Sequence, residues 1–183
     1  MLTAATVTSP QELEEIILLQ RANLIRDLST DEWKDQGFVT VEHTIDVLQQ
    51  MHDAAPSIII KDGERVVAYA LTMLKECRTL VPVLEPMYAN LETLQWKGGS
   101  LGERSYYVMG QICVDKAYRG QGLFDQLYQK HRDVYSSRFD CLITEVATRN
   151  ARSMRAHERV GFETIDVYKD DLDEWAVVGW DWK

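Results

Sequence analysis

The period of the apolar residues changes several times along the chain, and each change marks an element. Residues 2–8 alternate weakly, as a half-buried strand does. Ser9-Pro10 then has the form of a helix start, with Glu12, Glu14 and Glu15 early and Arg26 late, as the helix dipole favours. Leu13, Ile16, Ile17, Leu24 and Leu28 give that helix one apolar face. Residues 31–37 read as a loop or short helix and residues 44–52 as a second helix. Two β-branched runs, residues 57–61 and 65–74, flank Asp62-Gly63, which predicts a hairpin closed by a type I′ turn. A long connection follows over residues 75–105, with Pro82, Pro86, a short helix near residues 84–91 and Gly98-Gly99. Connections of that length between strands are commonly functional. Residues 164–168 and 173–182 predict closing strands around Asp170-Asp171, with Ala176, Val178, Trp180 and Trp182 on one face as core or interface.

Residues 107–147 carry the densest pattern. Val108, Met109, Ile112, Cys113 and Val114 make the largely apolar run of a strand buried on both faces. Arg119-Gly120-Gln121-Gly122 interrupts it, and from Leu123 the spacing turns helical through Leu127 and Val134, and through Phe124, Tyr128 and Tyr135. A second strand, residues 141–147, completes a βαβ unit with a glycine turn at the start of its helix. Glycine permits positive φ and leaves no Cβ, so backbone and ligand can touch; the first helical amides then suit a phosphate. Arg119 adds a cation matched to phosphate oxygens, although a plain tight turn with an exposed arginine has the same sequence. A Rossmann fingerprint is excluded because Asp125 stands where a third glycine or alanine belongs. A P-loop is excluded because Gly122-Leu123-Phe124 lacks Lys-Ser/Thr.

The stretch resembles the coenzyme A signature of the GNAT superfamily of N-acetyltransferases, Gln/Arg-x-x-Gly-x-Gly/Ala after a strand ending in an alternating apolar pair. Arg119 and Gly122 match, as do Ile112 and Val114, while Phe124 stands where the family usually has a small residue. A second family pattern, Asn-x-x-Ala-x-x-x-Tyr-x-x-x-Gly-Phe, falls in register on Asn150, Gly161 and Phe162, with Ser153 replacing the alanine and His157 the tyrosine. The resemblance covers residues 106–168. It implies an α/β (α+β) fold in one domain over residues 1–183: a mixed, strongly twisted sheet of about six to seven strands, flanking helices and a central splayed parallel pair. It also implies an acyltransferase with acetyl-CoA as cosubstrate and no metal, acetylating a primary amine by direct attack in a ternary complex. The backbone of Ile112, Cys113 and Val114 would hold the pantetheine and the thioester carbonyl. Arg119 and the amides of Gly120, Gln121, Gly122, Leu123, Phe124 and Asp125 would hold the pyrophosphate, and Asn150 the pantetheine arm. In such folds the first helix pair flanks the acceptor, which implies Trp33, Phe38 and Val41 as border residues or as helix-packing contacts. The long connection is expected to cover the acceptor side, with Tyr88 and Trp96 as cover or as anchors.

Glu145 lies five residues before Asn150, where N-terminal acetyltransferases of this superfamily carry a glutamate base. Between Thr144 and Val146 near the splay its pKa would rise; an outward-facing strand glutamate is the competing reading. His157 replaces a phenol of pKa about 10 with an imidazole of about 6.5. It is either a protonated acid or a surface helix residue in a site without a dedicated acid, with Tyr118 as substitute donor.

Composition narrows the partners. A net charge of −9 argues against nonspecific nucleic-acid binding and against an anionic membrane surface; it suits a cationic amine and equally plain solubility. In 183 residues, 45% hydrophobic content is enough for one well-cored domain. No long apolar run suggests a membrane span, and the N-terminus lacks a signal peptide's pattern. Cys77, Cys113 and Cys141 have no metal-like spacing and read as buried reduced thiols in a cytoplasmic protein. The acceptor, a small-molecule or peptide amine, stays open; the Trp-bearing last strand is a candidate homodimer contact. Phe124 and His157 also keep open a non-catalytic acyl-CoA-binding or regulatory module, and beyond it an interaction domain with a vestigial pocket.

Overall fold

The computed structural model describes residues 1–24, 39 and 41–183. In chain order the main elements are β1 (Leu2–Thr6), α1 (Pro10–Arg21), α2 (Ile45–Ala54), β2 (Ile58–Asp62), β3 (Arg65–Met73), α3 (Glu85–Leu91), β4 (Gln95–Trp96), β5 (Gly99–Ser100), β6 (Tyr106–Val114), α4 (Leu123–Tyr135), β7 (Cys141–Ala147), α5 (Ala151–Val160), β8 (Glu163–Lys169) and β9 (Glu174–Asp181). Seven strands form one mixed sheet in the order β1-β2-β3-β6-β7-β9-β8, with β4 and β5 a separate pair. Only β6 and β7 run parallel; every other neighbouring pair is antiparallel. The mixed α/β architecture with flanking helices and a central parallel pair is the one expected.

Local chemistry explains most boundaries. Ser9 caps α1 in a capping box with Glu12, and Pro10 sits in the first turn, where its missing N–H costs nothing. The Glu12 carboxylate also accepts from Thr8 N at 2.7 Å and from Lys61 Nζ at 2.9 Å, tying α1 to β2. Thr44 caps α2. Ile58, Ile59 and Ile60 of β2 are fully buried.

Some expectations shift. β1 stops at Thr6 rather than residue 8. Leu24 lies beyond the end of α1 and pairs in a parallel bridge with Val39 instead of extending the helical face. Arg26, Leu28, residues 31–37, Trp33 and Phe38 lie outside the described residues. The β2–β3 hairpin forms, but Asp62 pairs with Arg65, so Gly63 is the first central residue of its turn. Gly63 has φ 59° while Glu64 has no positive φ, the pattern of a type II′ turn and not the type I′ expected. Tyr88 and Trp96 are buried anchors of the long connection, the Trp96 indole donating to Glu163 Oε1 at 2.8 Å. Trp180 is core, packed against Phe162, and Cys77, Cys113 and Cys141 are buried free thiols.

Candidate active site

The site originates in a register accident on β6. Ala70 of β3 pairs with Ile112 and Thr72 with Met109, so Gly110 and Gln111 together oppose the single residue Leu71. This is a β-bulge, and a bulge bends its strand and re-aims the residues beyond it. On the other edge β6 pairs with β7 only through Tyr106, Tyr107 and Val108. The Thr144 hydroxyl donates to Met109 O at 2.9 Å at the point of parting. Beyond it β6 leaves β7, which continues to pair with β9 as far as Ala147. The parted strands leave a slot through the sheet, and Gln111 is fixed beside it: its amide donates to Val41 O at 2.7 Å and its carbonyl accepts from the buried Tyr69 hydroxyl.

Two cavities open onto the slot. The first, about 350 Å³, is lined by Ile112, Cys113, Val114, Tyr118, Arg119, Gly120, Gly122, Leu123, Phe124 and Asn150, and by residues of α5. Gly120 and Gly122 have φ of 77° and 74°, and a Cβ built at either meets nothing within 4 Å. Gly122 is the N-cap of α4 and brings no side chain to its amides. Positive φ, empty space and an uncapped helix start fit a bound pyrophosphate. Gln121 and Asp125 do not line this cavity: Gln121 is exposed, and Asp125 is paired with Arg159 at 2.6 Å. Arg119 is held by the chain itself, donating to Val114 O at 3.1 Å and Asn23 Oδ1 at 2.6 Å. Asn150 caps α5, accepting from Ser153 N at 3.2 Å.

The second cavity, about 420 Å³, lies on the other side of the slot and shares Val39, Ile112, Asn150 and Ser153 with the first. Val41, Val83, Leu84, Pro86 and Met87 line it, as do Glu145, His157, Tyr168 and Trp175. The long connection thus does cover this side, through residues 83–87, with Tyr88 turned into the core. Burial pushes the Glu145 carboxyl up to about 7, partly offset by the Tyr168 hydroxyl bonded to it. Glu145 Oε1 is buried with no hydrogen-bond partner among the described residues. It is therefore not an outward-facing strand glutamate.

His157 matches neither expectation. It is 2% exposed, so it is no surface residue, and burial holds its pKa down at about 4, so it is no protonated acid near neutrality. The carbonyl of Ser153 lies 2.8 Å from Nδ1 and can only accept, which places the ring proton there. Nε2 is then the acceptor for the Tyr128 hydroxyl at 2.6 Å. Phe124 packs edge-on against the same ring, at 5.0 Å between centroids. Tyr118, the other candidate donor, gives its proton to Asp62 Oδ2 at 3.1 Å.

Sequence reasoning missed Gln111, Tyr168 and the arginines of α5. Gln111 beside Gly110 was a readable bulge signal, a polar residue and a glycine interrupting an apolar run. Arg152, Arg155 and Arg159, spaced i, i+3, i+7, all line the first cavity, a helical-face spacing also readable from sequence. Nothing in the sequence marked Tyr168, which reaches the slot through the β8–β9 register. Among the described residues no His, Cys, Asp and Glu group is arranged to hold a metal, and no helix is long and apolar enough to cross a membrane.

A family model described as Acetyltransferase (GNAT) family matches residues 22–162. No curated protein matches the chain. Among solved structures, the chain is similar to the ribosomal-protein-S18-alanine N-acetyltransferase from Escherichia coli (TM-score 0.67, 13% identity, 99% of this chain and 94% of that one). It is likewise similar to an N-acetyltransferase from Staphylococcus aureus Mu50 (0.64, 16%, 100% and 99%). A chain of the NatC complex, solved with Gag peptide and CoA, matches at 0.67 and 14% identity over 98% of each chain. Likeness at these identities is likeness of fold.

Proposed function

The chain belongs to the acetyltransferase (GNAT) family and by that membership is an acyltransferase; from this premise we propose that it is an acetyl-CoA-dependent N-acetyltransferase acting on a primary amine in a ternary complex. The observation that carries the reading is the meeting of two cavities at Ile112, Asn150 and Ser153, where β6 parts from β7. Cosubstrate and acceptor would approach from opposite sides, as direct attack requires. Crystallisation of the NatC relative with peptide and CoA together is consistent with such an arrangement.

Acetyl-CoA supplies an activated thioester. The chain's residues hold, orient and move protons. The amides of Gly120, Gly122, Leu123 and Phe124 would take the pyrophosphate at the start of α4, with Arg152 and Arg155 of α5 adding positive charge beside it. The unpaired edge of β6 at Ile112, Cys113 and Val114, with the Asn150 amide, would hold the pantetheine. Glu145, with one oxygen unengaged, would take the proton that the attacking amine must lose. No dedicated acid is assigned. The His157 proton is committed to Ser153 O, and a departing thiol with pKa about 8.5 can leave as the thiolate.

Calorimetric titration of acetyl-CoA into the protein and into Gly122→Glu tests this. Binding at about micromolar Kd, lost in the variant, with thiol released when a primary amine is added, is the expected outcome. No binding by the wild type would remove the reading. Tight binding with no turnover of any amine would favour the acyl-CoA-binding module, a reading that Phe124, lining the first cavity beside His157, keeps in view.

A further inference from the structure

Resting on that reading, the second cavity narrows the acceptor class. Its lining combines a run of apolar residues with a few charged ones. Val39, Val41, Val83, Leu84 and Met87 carry no ionisable group, whereas carboxylates enter only with Glu145 and with Asp170 and Asp173 of the β8–β9 turn. Two of those three carboxylates are engaged within the chain. Asp173 pairs with Arg149 at 2.5 Å. Asp170 Oδ1 accepts from the Leu172 and Asp173 amides at 2.8 Å and from Trp175 Nε1 at 3.1 Å. Glu145 Oε1 alone is buried without a partner. One buried acceptor atom suits one ammonium group, and the apolar residues around it have nothing to pair a second; Asp170, whose neutral donors leave its charge in place, is the further lining carboxylate that a second ammonium would have to reach.

Two exposed residues of the lining carry a second, independent signal. Val83 and Leu172 are 54% and 72% exposed, two of the six large apolar side chains so exposed among the described residues, and both line this cavity. They come from elements far apart in sequence, and an apolar ligand would withdraw both from water.

We propose that the acceptor is a monoamine whose nitrogen is carried on an apolar alkyl or aryl body, the nitrogen at Glu145 and the body between Val41, Met87, Val83 and Leu172. The test is calorimetry on CoA-saturated protein with n-octylamine, phenethylamine and spermidine as probes. Octylamine and phenethylamine are expected to bind at least about tenfold tighter than spermidine, the factor that burying two or three methylene groups gives. Val83→Asp and Leu172→Asp alter exposed positions, so the fold is kept and CoA affinity stays unchanged; each is expected to weaken octylamine about tenfold. Spermidine binding as tightly as octylamine, octylamine indifferent to both substitutions, or no binding of any probe to the CoA complex would each overturn the proposal. The CoA titration on the same samples reports separately: if CoA itself fails to bind, it is the acetyl-transfer reading that falls.

Discussion

Glu145 shows how one residue sets two opposing quantities. Desolvation raises its pKa to about 7, against 4.5 for the free side chain. The raised value means the protonated form is favoured by folding: its stabilisation is complete below about 4.5 and is lost as pH rises through about 7. The same shift brings the carboxyl to neutrality, the range in which the proposed general base would transfer protons most effectively. Glu145→Gln is therefore expected to lower kcat/KM by about 10²- to 10⁴-fold while raising stability at pH 8 by on the order of 1–3 kcal/mol. That gain should fade by pH 5, and the wild-type rate should climb with pH through about 7. Melting curves at the two pH values together with initial rates decide it, and a variant as active as the wild type would remove Glu145 from the chemistry. Glu145 was a candidate in sequence through the family resemblance, which places a glutamate five residues before Asn150. The raised pKa needed the fold, because Tyr168 and the buried slot come from separate strands. His157 was misread for a related reason. Helix α5 is polar around most of its circumference, so nothing local revealed that this one ring is buried against Tyr128 and Phe162.

At the scale of elements, the alternation of apolar residues and the helix-start signals located most strands and helices, because those signals are local. What remained hidden was register. A bulge at Gly110-Gln111 and the end of pairing at Val108 decide where β6 parts from β7, and register is a property of two strands at once. Gln111 holds this arrangement from within, bridging Tyr69 of β3 and the Val41 carbonyl that leads into α2. Gln111→Ala strands the fully buried Tyr69 hydroxyl, an expected loss of about 1–3 kcal/mol measurable by urea unfolding. Because the cost comes from an unpaired hydroxyl, adding Tyr69→Phe to that variant should recover part of it. If the double variant is instead less stable by the sum of the two single losses, Gln111 acts by packing volume and not by pairing.

Across the whole molecule, much of the response to mild acid lies in three residues that composition counts without placing. His43, His131 and His157 are 3%, 0% and 2% exposed, and burial lowers their pKa values to about 4, about 3 and about 4. Each sits against a neutral partner: His43 Nδ1 is 3.0 Å from Gln20 Oε1, and His131 and His157 meet the hydroxyls of Tyr107 and Tyr128. The unfolded chain takes up protons on these rings near pH 6.5, where the folded chain refuses them. Their contribution is therefore complete above about pH 6.5 and is lost progressively as pH falls towards the folded values. Each ring is worth on the order of a few kcal/mol over that window, against a total stability of about 5–15 kcal/mol for a domain of this kind. Glu145 acts in the opposite sense, since its folded pKa is raised, but one carboxyl does not balance three imidazoles. The urea midpoint is accordingly expected to fall steeply between pH 6.5 and 4.5, and three of the four histidine ring resonances should fail to titrate in the folded protein down to pH 5. A flat midpoint over that range, or rings that titrate near 6.5, would show that these histidines are reached by water and that the aromatic core around α4 opens far more readily than its packing implies.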